Sequence, residues 1–164
     1  MIKNINDLEK ILNKYLIKAL ELTRDEIFEI VAEKVSEYYG EEVFSEPPID
    51  IPDYYVRTGR LMEELTASNI TKSGNMYSFT VGWPDSYLTF RYPGGFQRKS
   101  ASSKFNGITG LQVLEAFDSG THGYTVYGSH NYWQEALEEI NARYGGVMEL
   151  FQKNCIKVGI PIME

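Results

Sequence analysis

The chain has 164 residues, 43% of them hydrophobic, which is enough for one domain with a real core. Its formal net charge of −7 disfavours general nucleic-acid binding, because basic side chains that neutralise phosphates supply most of that affinity. A single cysteine, Cys155, excludes an internal disulfide and a cysteine-rich zinc site, and no stretch approaches the roughly 18 apolar residues of a membrane span.

The opening segment reads as helix. Leu8, Ile11, Leu12, Tyr15, Leu16, Ala19 and Leu20 recur at steps of three and four, and the stripe resumes at Ile27, Val31, Val35 and Tyr38. Asn6 with Glu9 has the spacing of a capping pair at its start, and Gly40 suits its C-cap. Thr23 and Glu26 repeat the capping spacing, so one long helix is expected, with a place inside it where it can kink. Glu21, Asp25, Glu29, Glu33 and Glu37 form a row of acids four residues apart. Neighbours in such a row repel by a few tenths of a kcal/mol. The row is either a solvated face or a face that meets a basic partner or lines a channel, and the acidic balance of the chain would suit a passage that does not grip DNA.

Residues 41–53 contain Pro47, Pro48 and Pro52 and read as an extended connector. The polar run Tyr55-Val56-Arg57-Thr58-Gly59-Arg60-Leu61 follows. Thr58 can cap a helix beginning at Gly59, with Leu61, Met62 and Leu65 as its apolar side, so its plainest reading is a helix start that anchors a loop. Two strands are expected over 67–72 and 76–83, joined at Ser73-Gly74-Asn75, where Gly and Asn supply positive φ. In the second, Tyr77, Phe79, Val81 and Trp83 alternate with Met76, Ser78, Thr80 and Gly82, the pattern of a half-buried strand. A third strand is expected at 86–92.

From Pro93 the chain turns small, polar and glycine-rich, and residues 84–108 together read as an extended loop or long flexible arm. Arg91, Arg98, Lys99 and Lys104 make it locally basic within an acidic protein. It is either an arm that orders against a neighbouring subunit or plain disorder. A short helix at 111–117 closed by Gly120 comes next, then a strand at 124–127. Asn131 caps a last helix, with Gln134 in its first turn. Trp133, Leu137, Ile140, Tyr144, Val147, Phe151, Cys155 and Val158 keep helical phase past Gly145 and Gly146, so one helix is expected to run through the glycines.

These elements make the expected fold class α+β. An antiparallel sheet of about four strands packs against long N- and C-terminal helices in one domain over residues 1–164. The 12 Tyr and 8 Phe suit either a protein that touches other proteins or a tyrosine-rich sheet face. The start, Met1 to Asp7, lacks the apolar region of a signal peptide, which leads to the expectation of folding in the cytoplasm.

No catalytic, cofactor or metal site is expected. His122 and His130 stand eight apart across a strand and belong to no His-x-x-x-His or Glu-x-x-His pair. The serines at 100, 102, 103 and 129 lack a nucleophile-elbow pattern, and Cys155 falls in a helical stripe, as a buried apolar residue does. Glu138 and Glu139 are adjacent and point apart on a helix, and Pro93-Gly94-Gly95 lacks the lysine-serine of a phosphate-binding loop.

Tyr55-x-Arg57-Thr58-Gly59-x-Leu61, set between an N-terminal helix and a β-hairpin, resembles a family of tailed-bacteriophage tail components, the head–tail joining or tail-completion proteins of the neck. A second resemblance runs from Tyr132 to Gly159. There Trp133, Glu135, Ala136 and Leu137 open a helix, Gly145 and Gly146 interrupt it, and Phe151 leads to Gly159-Ile160-Pro161. The order and spacing of the two segments agree, and residues 84–119 lie outside the resemblance. The resemblance implies copies assembled into a ring, a hexamer, that contacts the tail tube and the sheath below and a connector or portal-side protein above. It implies Tyr55, Arg57, Thr58, Gly59 and Leu61 as the structural signature, with Trp133 in the second segment. It also implies the host cytoplasm during assembly and a virion or tail-like particle afterwards. Arg57 can pair with a neighbouring subunit's carboxylate or within its own chain, and the basic arm is the expected intersubunit element. The alternatives are a small cytoplasmic hydrolase around His122, Tyr124 and His130, or a monomeric binding module.

Overall fold

A computed structural model describes residues 4–39, 60–91, 109–119, 121–122, 125–126 and 131–161. In chain order these form α1 (Ile5–Tyr39), α2 (Arg60–Glu63), β1 (Thr66–Ala67), β2 (Thr71–Ser73), β3 (Met76–Ser78), β4 (Val81–Gly82), α3 (Asp85–Leu88), α4 (Gly110–Ser119), β5 (Thr121–His122), β6 (Thr125–Val126), α5 (Tyr132–Tyr144) and α6 (Val147–Val158). The strands pair two by two, β1 with β4, β2 with β3 and β5 with β6. The protein is α+β, as its periodicities predict. Where a single domain is expected, packing groups the chain into two compact units. One is made of residues 1–31, 67–81 and 133–164, and the other of residues 32–66 and 82–132.

The first unit is built on α1 as far as Val31; the helix runs 35 residues without a break, about 52 Å at the rise of an α-helix. Its cap is Asn4 and not Asn6. The Asn4 side-chain oxygen accepts from the N–H of Asp7 at 2.9 Å, three residues on, which shifts the helix start two residues upstream of the expected pair. Thr23 does not break the helix. Its hydroxyl donates back to the Ala19 carbonyl at 2.8 Å, the mid-helix alternative to capping.

The hairpin β2–β3 pairs Thr71 with Ser78, Lys72 with Tyr77 and Ser73 with Met76. This leaves a two-residue turn, in which Gly74 alone has positive φ, at 60°. That is the type II′ arrangement, so Asn75 is not asked for the strained conformation expected of it. The two expected strands are shorter than their patterns. Between the hairpin ladder and the β1–β4 pair, Ser68 N–H donates to the Thr80 carbonyl at 2.8 Å, and Thr80 N–H donates to Ser68 Oγ at 2.9 Å. The predicted alternation holds as far as Val81, since Tyr77, Phe79 and Val81 are half-buried while Met76, Ser78 and Thr80 are exposed, but it lapses at Gly82, which is half-buried like Val81 and Trp83. Tyr77 donates its hydroxyl to Asn13 Oδ1 at 3.0 Å, and Arg24 donates to the Ser68 carbonyl at 3.2 Å, which ties this segment to α1.

The expected single C-terminal helix is two helices. Gly145 at φ 91° and Gly146 at φ 142° take conformations that side-chain-bearing residues avoid, and α6 starts afresh at Val147. The buried face is also rotated from the predicted stripe. Ala136 and Ile140 on α5, and Leu150, Asn154 and Cys155 on α6, are buried, while Trp133, Leu137 and Val147 stay in water. On α1, Ala19, Thr23, Ile30 and Val31 are buried.

In the second unit the core holds Val35, Leu61, Leu65, Tyr87, Leu114 and Tyr132. The third strand expected at 86–92 is instead α3, entered through Pro84 and followed by an isolated antiparallel bridge between Arg91 and Thr109. Proline at the helix entrance pre-sets φ without forfeiting a hydrogen bond, which favours a turn of helix there. Residues 84–91 therefore do not belong to an extended arm, and residues 92–108 lie outside the described residues. Helix α4 fulfils the prediction at 111–117, with Gly120 outside the described residues, and β6 falls inside the predicted 124–127.

Candidate functional site

The segment that carries the sequence signature leads into α2. Tyr55, Arg57, Thr58 and Gly59 lie outside the described residues, as do Arg98, Lys99, Lys104 and His130. Leu61 is described and buried, in the first turn of α2. Its carbonyl accepts from the indole Nε1 of Trp83 at 2.7 Å. The Trp83 ring stands edge-on to Tyr132, centroids 5.5 Å apart, and tilted against Tyr87 at 6.3 Å. Beside Leu61, the Arg60 guanidinium lies 3.6 Å above the centre of the Phe90 ring and donates from Nε to Glu64 Oε1 at 2.6 Å. A planar cation stacked on an aromatic face and held by a carboxylate is a rigid arrangement. The chain leaving the signature is thus pinned at two successive residues.

Arg91, exposed, bridges to Thr109, where the chain re-enters the described structure. Thr109 and Gln112 form a reciprocal capping box on α4. Gln112 N–H donates to Thr109 Oγ1 at 3.2 Å, and Thr109 N–H donates to Gln112 Oε1 at 2.9 Å. Gly110 follows, with N–H donating to the Phe90 carbonyl at 3.0 Å. A Cβ there would stand 2.1 Å from the Tyr87 carbonyl oxygen, so only glycine permits this approach. Leu61 and Arg91 belong to this unit, whereas Trp133 belongs to the other, half-exposed on α5.

Phe90 and the Thr109–Gln112 box are absent from the sequence expectations, and Arg60 and Trp83 figure there only as members of the polar run and of the second strand. The box had a legible signal, a Thr followed three residues later by Gln at the head of an apolar run. The stacking of Arg60 on Phe90 is a long-range contact with no local signature.

The surface of α1, whose residues up to Val31 belong to the first unit and from Ala32 to the second, is informative. Leu8, Ile11, Leu12 and Tyr15 form one apolar row, each between 39 and 46% exposed. The five acids at 21, 25, 29, 33 and 37 are all exposed, Asp25 pairing with Arg24 at 2.6 Å and Glu37 with Lys34 at 3.0 Å. Cys155 is buried, and burial pushes its thiol above the ordinary range, which disfavours the nucleophilic thiolate. Among the described residues no group of three or more His, Cys, Asp and Glu side chains could hold a metal ion, and no described helix is long and apolar enough to cross a membrane.

No family model matches the chain, and neither a curated protein nor a solved structure matches it significantly.

Proposed function

We propose that this chain is a structural, self-assembling component of a bacteriophage tail or tail-like particle, acting at the head-proximal end as a tail-completion or head–tail joining protein. Two things support this reading. The tail assignment rests on the resemblance of Tyr55–Leu61 and of Tyr132–Gly159 to neck proteins, in matching order along the chain. Assembly rests on one structural observation, the apolar row Leu8, Ile11, Leu12 and Tyr15 that a lone chain leaves in water. Single exposed apolar residues are ordinary, but a contiguous row on a helix is characteristic of a surface that another protein covers.

On this reading the protein transforms no molecule. Its work is to close into a ring, a hexamer on the family pattern, that ends tube growth and presents a docking surface. The tail tube and sheath lie on one side and a connector or portal-side protein on the other. Particles produced without this protein test the assignment by electron microscopy. Overlong or headless tails are expected; particles of normal length with heads attached would overturn it.

A further inference from the structure

Lys10, Lys14, Lys18, Glu21, Asp25 and Glu29 follow one another along α1 at steps of three or four residues, so they share one strip of the helix. All six are exposed. The strip is basic in its first half and acidic in its second. The three lysines make no ion pair among the described residues. This order opposes the helix dipole, which favours acids toward the N-terminus and bases toward the C-terminus, and α1 has no basic residue in its last turn. Like charges four apart also repel within each half. The pattern therefore does not serve the isolated helix.

The two halves do complement each other between molecules. Ile11 and Tyr15 of the apolar row each stand three residues from a lysine of the strip, so apolar row and lysine row border one another. The acidic half is likewise bordered by Ile17 and Phe28, both half-buried. We propose that the N-terminal part of α1 docks head-to-tail on a second copy of this chain, Lys10, Lys14 and Lys18 of one copy facing Glu21, Asp25 and Glu29 of the next, with Leu8, Ile11, Leu12 and Tyr15 covered by the contact. Such a contact joins two different patches, so it is heterologous, and repeated it yields a closed ring or an open filament. The inference rests on the self-assembly part of the function proposed above and not on its tail assignment. It places an intersubunit contact on α1.

The test is a charge swap in the full chain. K10E/K14E/K18E and E21K/D25K/E29K are each expected to raise the dissociation constant for self-association by about tenfold or more, since three exposed pairs become three repulsions. An equimolar mixture of the two variants restores both kinds of contact and is expected to re-associate to the wild-type mass in light scattering. Circular dichroism and the thermal midpoint verify that each variant is folded. If both variants assemble as the wild type does, or if each dissociates and the mixture stays dissociated, the docking on α1 is overturned while self-assembly stands. A wild-type chain that remains monomeric at every concentration overturns both.

Discussion

Asn154 on α6 donates its amide hydrogen to Oγ1 of Thr23 on α1 at 3.2 Å, across 131 positions of sequence, and both side chains are buried. Thr23 passes its own hydrogen to the Ala19 carbonyl, so its hydroxyl both donates and accepts. The Asn154 carbonyl oxygen is buried without a hydrogen-bond partner among the described residues. The pair is a polar peg in an apolar helix contact, and such pegs fix register more than they add stability.

That geometry predicts a strongly non-additive mutant cycle. Thr23→Val removes the acceptor and strands the Asn154 amide, at a cost of about 1–3 kcal/mol. Asn154→Leu removes an amide whose oxygen is already unsatisfied and leaves Thr23 bonded to Ala19, so it costs less than about 1 kcal/mol or stabilises. The double variant is expected near the Asn154→Leu value, because Thr23→Val then strands nothing. Urea denaturation of the four proteins reads the coupling energy. Additive single effects would show that the bond does not hold the helices.

Gly110 predicts a large effect from one methyl group. A Cβ there would collide with backbone, the Tyr87 carbonyl, which cannot rotate aside as a flexible side-chain end can. Glycine to alanine gains about 1 kcal/mol of propensity in a helix interior and less in the first turn, where Gly110 sits. Here it is expected to lose at least about 2 kcal/mol, since α4 must part from α3 and from its bond to the Phe90 carbonyl. The control is Leu111→Ala, at the adjacent exposed position, expected within about 0.5 kcal/mol. Thermal melts of both variants separate close packing from a general intolerance of change in α4.

The parts of the fold that were legible in the sequence are those written in local periodicity. Leu8 to Val35 repeat at helical steps and α1 runs through them, and the alternation from Met76 to Val81 matches alternating burial. What was missed depends on geometry that spacing does not encode. The apolar phase carries on past Gly145 and Gly146, yet Trp133, Leu137 and Val147 within it stay in water, so phase alone reveals neither the buried face nor the point where the helix stops. The run after Pro84 holds Tyr87, Leu88 and Phe90, residues equally at home in a strand. Pro84 and the bond from the Thr89 hydroxyl to the Asp85 carbonyl, 2.6 Å, favour a helical turn. Of the signature, only Leu61 falls among the described residues. Its partner Trp83, and the Tyr132 ring that Trp83 packs against, come from distant parts of the chain.

The break between α5 and α6 can itself be probed. Gly145→Ala forces a Cβ into φ 91°, at about 1–2 kcal/mol. At Gly146 the cost is higher, because φ 142° with ψ 173° is a region that essentially only glycine enters; the Glu149 carboxylate end that a Cβ would meet can swing aside. The order of stabilities expected from chemical denaturation is wild type, then Gly145→Ala, then Gly146→Ala. Had the chain formed one straight helix through this point, both alanines would stabilise it by roughly 1 kcal/mol each. The sign of the change thus decides between the two structures.

Tyr144, the last residue of α5, predicts a specific alkaline response. Burial, and then its hydrogen bond to the Glu26 carboxylate on α1, push the phenol above its ordinary value of 10.0. The folded protein therefore holds this proton more tightly than the unfolded chain does. The resulting stability is fully present below pH 10, the unfolded value, and is lost as pH rises through the folded one. Tyr144→Phe removes the titration and the hydrogen bond together. Between pH 8 and pH 11 the urea midpoint of the wild type should fall more steeply than that of Tyr144→Phe. Other tyrosines and lysines titrate in both proteins, so the difference between the two curves isolates this one group. Parallel curves would mean that Tyr144 ionises as easily in the folded protein as in the unfolded one, contrary to its place beside Glu26.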